Sequence, residues 1–256
     1  ALMVMEKEIG KEKMKKFLKY ELDMYLQGRG FESKKELPII SNEGQQYIHY
    51  RKGSMLMYAL KDYIGEDSLN AALRRYIKKV AFQEPPFTTS LELLTYLRKA
   101  TPDSLQYLIS DMFENITLYD NKAVKGTYTK LPGGKYKVDF TVESQKMRAD
   151  SLGNSKVFSG NVGESGSIRL SANLGSQETK MNTLALADWI DIAVFGKKEK
   201  NTLSVGKELY FSKRKITAKQ SSFSVIVDEE PVSIGIDPYN KLVDRNSDDN
   251  IVSLKP

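Results

Sequence analysis

"LPGGKYKVDFTVE", residues 131–143, divides this chain into two halves with different periods. Tyr136, Val138, Phe140 and Val142 alternate with Lys135, Lys137, Asp139 and Thr141, the pattern of a strand with one buried face. "LPGG" is a turn signal, so a hairpin is predicted over 123–131 and 135–146. "DWIDIAVFG" (188–196), "KELYFSKRKI" (207–216), "SSFSVIVDEE" (221–230) and "PVSIGID" (231–237) add further strands, with no helix among them. The segment 150–187, rich in Ser, Gly and Asn, reads as a long loop or an irregular extra hairpin. Five or more antiparallel strands argue for a β-sandwich over 120–256.

Up to about residue 119 the period is helical. "ALMVMEKEIG" reads as a helix ending near Gly10 and lacking an N-cap. A second helix is expected from about Lys11 to Gln27, stopping at "GRG", with a loop over 28–43 that contains Pro38. A helix from about Gly44 to Ile64 is closed by Gly65, and Asp67 is placed to cap the next one, about 68–81. "EPPF" breaks the chain. Thr89 and Glu92 then form a capping box for a helix through Lys99. Thr101 as N-cap and Pro102 at the first position start a helix through about Glu114. The expected class is therefore α+β and multidomain: a helical bundle or array over 1–119, then an antiparallel β-sandwich.

Composition narrows the chemistry. The chain has 256 residues, 40% hydrophobic and 28% charged, which suits one large domain or two smaller ones. No apolar run approaches the ~18 residues that cross a bilayer. The chain begins at Ala1 without an initiator methionine or signal peptide, so it is expected to be an excised piece or a processed product. There is no cysteine, which removes disulfides, thiolate nucleophiles, zinc fingers and iron–sulfur clusters. With one histidine, His49, a His-rich metal site in this chain is excluded, as is a Ser-His-Asp arrangement anywhere else. The net charge is +6, but the lysines are interleaved with acids. In "KEKMKKFLKYE" (11–21) they fall opposite an apolar stripe, so no nucleic-acid partner is expected.

Asp244, Asn246 and Asp248 have the opening spacing of a calcium loop, but Asp249 replaces the required glycine and Lys255 the bidentate glutamate. An exposed acidic turn is expected instead. In "YIHYRKGSMLMYAL" (47–60), Tyr47, Tyr50 and Ser54 share one helical face, and Gly53 permits a close approach. Met55, Leu56, Met57, Tyr58, Leu60 and Ile64 cover most of the rest of a largely buried helix. On pattern alone, such a tyrosine and methionine stripe is core.

"YRKGS", "IGEDSLNAALRRYI" and "TTSLELLTYLRKAT", in that order, resemble the zinc aminopeptidases of the aminopeptidase N and leukotriene hydrolase type, the gluzincins. Their catalytic domain carries a Tyr-x-Lys-Gly element on a helix followed by helices of this rhythm. "AFQEPPFTTSLELL" and "DNKLVDRNSDDN" are similar to a bacterial subgroup in which such a peptidase is attached to the permease part of an ABC transporter. The resemblance covers about residues 1–119 and is looser in the strand half. It implies that Tyr50 is the catalytic donor to the oxyanion of a tetrahedral intermediate, a task suited to a protonated phenol on a rigid ring. Lys52 and Gly53 match the motif in structural roles. It implies peptide substrates with a free N-terminus, and zinc in the intact parent protein. The zinc ligands of the family precede the tyrosine, so metal-ligating residues in this chain are none, and the fragment alone is expected to be inactive. Its implied partners are the N-terminal catalytic segment of the same protein and the permease part. Its implied place is the periplasmic side of a bacterial membrane. The alternative is a non-catalytic envelope module whose sandwich docks a transporter or another protein.

Overall fold

A computed structural model of the chain describes residues 2–158, 186–198 and 204–255. It is a mixed α+β structure in which helices come first and two antiparallel sheets come after them. Helix α1 (Leu2–Ile9) stops at Gly10, whose φ of 86° lies in the left-handed region. After a single turn at Lys11–Lys13, α2 (Met14–Gly30) buries Met14, Leu18, Leu22 and Tyr25, one face of a 3.6-residue helix. It runs past the expected end at Gln27, because the two glycines of "GRG" remain helical.

The next helix opens with a π-turn, Tyr47–Lys52, and continues as α3 (Gly53–Ile64). Gly65, at φ 87°, ends α3 and begins α4 (Glu66–Val80), so Asp67 lies inside the first turn rather than at the cap. Its carboxylate still opposes the positive end of the helix dipole. Thr89 precedes α5 (Ser90–Ala100), but the predicted capping box is not made: Thr88 Oγ1 donates to Glu92 Oε2 at 2.9 Å in its place. The Thr101 hydroxyl turns back to the Leu97 carbonyl at 2.9 Å and finishes α5 instead of capping a new helix. Beyond Pro102 the single helix expected through Glu114 is three pieces: a 3-10 turn (Asp103–Leu105), α6 (Gln106–Ile109) and a second π-turn (Ser110–Glu114).

The first strand, β1 (Ile116–Lys130), starts ahead of the expected boundary at 119/120. It pairs along its length with β2 (Tyr136–Ala149) through the predicted turn. The far edge of β2 is shared by β3 (Ser155–Phe158) and β6 (Gln220–Val227). The second sheet has the order β5 (Glu208–Ile216), β4 (Asp188–Phe195), β7 (Ser233–Ile236), β8 (Ile251–Ser253). The strands expected from sequence at 188–196, 207–216, 221–230 and 231–237 are thus present. Most of the segment 150–187 lies outside the described residues.

Among the described residues two large apolar cores result, beside two smaller clusters around Leu18 and Tyr239. Val138, Phe140 and Val142 of the first sheet pack with Ile190, Ile192, Val194, Ile234 and Ile236 of the second. The other core joins Leu22, Tyr25, Met55, Leu60, Leu69, Leu97 and Leu108 of the helices. Leu118 of β1, Met147 of β2 and Val243 also belong to it, so the helical core reaches into the strand half.

Buried charge holds the same junction. Lys146 on β2 lies 2.9 Å from Asp111 of the second π-turn and 2.9 Å from Asp188 at the head of β4. Arg148 takes the other oxygen of Asp111 at 2.5 Å. Asp62 of α3 is bound by Lys213 of β5 and, at 2.6 Å, by Lys241; both lysines also bind Asp191 of β4. Burial opposes ionisation of Asp62, but Lys241 and Lys213 outweigh it and pull its pKa down to about 2. Removing one partner of such a group leaves an uncompensated buried charge. Lys146→Met is therefore expected to lower stability in urea unfolding by about 3–5 kcal/mol. Lys135→Met, at an exposed pair with Asp228, should leave the midpoint nearly unchanged.

Candidate functional site

The π-turn decides where each side chain of the Tyr-x-Lys-Gly element points. In a regular α-helix, residues five apart lie about 140° apart around the axis. The i→i+5 bonding of a π-turn brings them closer to one face. Tyr47 and Lys52 consequently both face inward, towards α2. Gly28 makes room: a Cβ there would lie 2.5 Å from Tyr47 Cβ. Tyr47 stacks on Tyr25, ring centroids 6.0 Å apart, and its hydroxyl donates to Glu32 at 3.1 Å. Burial and that bond raise the pKa of the Tyr47 phenol.

Beneath the turn lies Glu36, a buried carboxylate from the 31–45 loop. Tyr25 donates its hydroxyl to Oε1, and Arg29 Nε donates to Oε2 at 2.6 Å. Lys52 is 1% exposed. Its Nζ lies 3.7 Å from Glu36 Oε1 and 5.0 Å from the centre of the Tyr25 ring, with no hydrogen-bond partner among the described residues. Burial pulls the Lys52 pKa down to about 8, against the attraction of Glu36. Gly53 comes next, and a Cβ on it would lie 3.0 Å from Ile39 Cδ1, so the close approach expected there is made by the same loop.

Tyr50 points the other way and is 66% exposed. This differs from the common face expected for Tyr47, Tyr50 and Ser54, because the wider turn rotates Tyr50 away from Tyr47. Its ring lies against His49, with centroids 4.4 Å apart. His49 Nδ1 accepts from Asn42 Nδ2 at 2.9 Å, fixing the imidazole beside it. The Tyr50 hydroxyl has no hydrogen-bond partner among the described residues. Arg51 reaches back to Glu21 at 3.3 Å and stands over the Tyr20 ring. The arrangement offers one unengaged phenol donor on a helix start that is pinned from below.

Among the described residues, no three or more His, Cys, Asp or Glu side chains are grouped to hold a metal ion. These residues therefore do not fit a zinc site of their own. Asp244, expected in an exposed acidic turn, is instead fully buried. Its carboxylate accepts the backbone amides of Asn121 at 3.2 Å and Asn246 at 3.1 Å, and burial pushes its pKa up to about 7. Asn246 and Asp248 of that triplet are exposed, Asp248 3.2 Å from Lys19. A shallow cleft of about 480 Å³ on the first sheet, lined by Lys125, Asp139, Phe140 and Phe223 among others, includes nothing from the π-turn.

Glu36 went unidentified in the sequence; one of three acids in a loop, two residues before Pro38, it has no periodicity to mark it. No protein-family model matches the chain, and no curated protein aligns with it at a significant level.

Lys52 gives the site a pH signature. Its pKa is about 8 in the fold against an ordinary 10.5, so between these values the unfolded chain binds more protons. The contribution of this group to stability therefore rises from about pH 8 to 10.5. The unfolding free energy of the native chain minus that of Lys52→Met is expected to grow over this window. Chemical denaturation at a series of pH values measures it, and a flat difference would place Lys52 in solvent.

Proposed function

We propose that this chain is the C-terminal part of a zinc-dependent aminopeptidase of the gluzincin type. On this reading the helices of 1–119 are the bundle that ends the catalytic domain, and the two sheets of 120–256 form the β-sandwich after it. The substrates are peptides with a free N-terminus, and Tyr50 is the oxyanion donor. The observation that carries the reading is the contrast within one turn: Lys52 and Tyr47 are tied down inside, while the Tyr50 phenol stands 66% exposed with an unengaged hydroxyl. An exposed aromatic on a fixed π-turn suits a catalytic donor, since such turns recur at functional sites.

The chemistry assigned to this chain is limited to that hydroxyl. As water adds to the scissile carbonyl, negative charge gathers on its oxygen, and the Tyr50 O–H donates a hydrogen bond to it. The proton stays on Tyr50. A donor fixed before the reaction stabilises the charge without reorganising, the source of most oxyanion stabilisation. The ligands of the zinc belong to polypeptide outside the described residues. His49 holds the Tyr50 ring from one side, and Lys52 and Glu36 hold the backbone from below.

The test is turnover of amino-acid anilides by the intact protein and its Tyr50→Phe form. Loss of one oxyanion donor is expected to lower kcat by about 10²–10³ with little change in KM. Tyr47→Phe, which removes only the Glu32 bond, should keep most of the activity. Equal turnover by Tyr50→Phe would defeat the assignment. An intact protein without peptidase activity would favour a non-catalytic docking module.

A further inference from the structure

The link between α4 and α5 carries features that the Tyr50 site does not use. The two helices pack together, with the Tyr76 and Tyr96 rings edge to face at 5.8 Å. The link that joins them stands clear of the fold: every residue from Ala81 to Phe87 is exposed. Phe82 is fully exposed and Phe87 is 70% exposed, with exposed Ile77 and Leu91 at the base. Phe82 also has φ 58°, a left-handed conformation that a bulky side chain adopts only under strain. The link is nonetheless internally braced. Gln83 Nε2 donates to the Pro86 carbonyl at 2.7 Å, the Gln83 amide donates to Val80 at 3.2 Å, and Tyr76 meets Thr88 at 3.3 Å. Two phenyl rings are thus held in water on a rigid tip.

Charge points to what covers them. Arg74, Arg75, Lys78 and Lys79 are exposed along the last two turns of α4 leading into the tip. Among the described residues none of the four makes an ion pair, whereas the surface lysines Lys7, Lys19, Lys135 and Lys207 each have a carboxylate partner. Between Arg74 and Leu91 there is one acid, Glu84. The basic side chains and the phenyl rings therefore lie together, unneutralised and uncovered.

We propose that the α4–α5 tip is a docking site for a bilayer containing anionic phospholipid. Phe82 and Phe87 would enter the headgroup–acyl boundary, and the four cations would take the lipid phosphates. Apolar burial and basic residues add in such binding. A projecting convex tip fits a deformable lipid surface better than the groove or flat face of a protein partner. This inference stands apart from the peptidase reading, since Tyr50 takes no part in it.

Co-sedimentation of the chain with vesicles of equal parts phosphatidylglycerol and phosphatidylcholine tests it. Association is expected, with little on phosphatidylcholine alone. Lys78→Gln and Lys79→Gln should each weaken it about fivefold. Phe82→Ser with Phe87→Ser should weaken it at least about tenfold while leaving every charge in place. Lys135→Gln, away from the tip, should change nothing. Failure to associate with the anionic vesicles would overturn the proposal, as would association indifferent to the tip substitutions. So would tighter binding to a single-stranded oligonucleotide that survives loss of both phenylalanines, which would assign the surface to nucleic acid.

Discussion

A single buried carboxylate, that of Glu36, organises the start of α3. It draws Tyr25 and Arg29 from α2 and Lys52 from the π-turn onto one point. Desolvation makes each of these charges costly alone, and only mutual pairing makes the group tolerable. Lys52 is held there by attraction at 3.7 Å rather than by a hydrogen bond. The widened turn follows from the need to face both Tyr47 and Lys52 inward. Once they do, Tyr50 has only the outward direction left. The exposure of the phenol is thus a consequence of what is buried around it.

The junction of the two halves uses the same physics more extensively. Asp62 and Asp111 come from the helical half, and Lys213, Lys241, Lys146 and Arg148 from the strand half. Tyr63 donates to the Trp189 carbonyl at 2.5 Å, and the Trp189 amide donates to Tyr107 at 3.1 Å, so α3 and α6 both grip β4. Apolar side chains cross the same boundary. Asp237 sits at the edge of this network, accepting the amides of Lys241 and Leu242, and burial pushes its pKa up to about 8. A carboxyl raised in the fold contributes stability that is complete below its ordinary pKa and is lost as pH climbs through the folded one. Asp237 therefore makes stability fall with pH up to about pH 8, and Lys52 makes it rise above that.

Much of the frame was legible because one-sided burial leaves a period. The Met14, Leu18, Leu22, Tyr25 stripe and the Val138, Phe140, Val142 alternation were readable for that reason, as were the stops at Gly10 and Gly65. The start of β1 was not. Ile116, Thr117, Leu118 and Tyr119 are all buried, because Leu118 faces the helical core and Tyr119 the sheet core, and two-sided burial erases alternation. Both π-turns were invisible, since side-chain preferences do not separate i→i+4 from i→i+5 bonding. The capping box failed by one residue, as Thr88 and Thr89 offer the same hydroxyl. Asp244 misled because an acidic sequence suggests solvent, while backbone amides of Asn121 and Asn246 satisfy it inside. At the candidate site, Tyr50, Lys52 and Gly53 were found through the motif, whereas Glu36, which positions them, had no local signature.

The Glu36 carboxylate fixes the turn that presents Tyr50. Amide hydrogen exchange in the native chain and in Glu36→Gln tests it most directly. Protection is predicted to fall by at least about tenfold over residues 48–53, more than in β4 and β7, because the buried Lys52 loses its counter-charge and the turn opens locally. Unchanged protection across the turn, or a loss spread evenly over helices and strands, would show that Glu36 does not fix the turn.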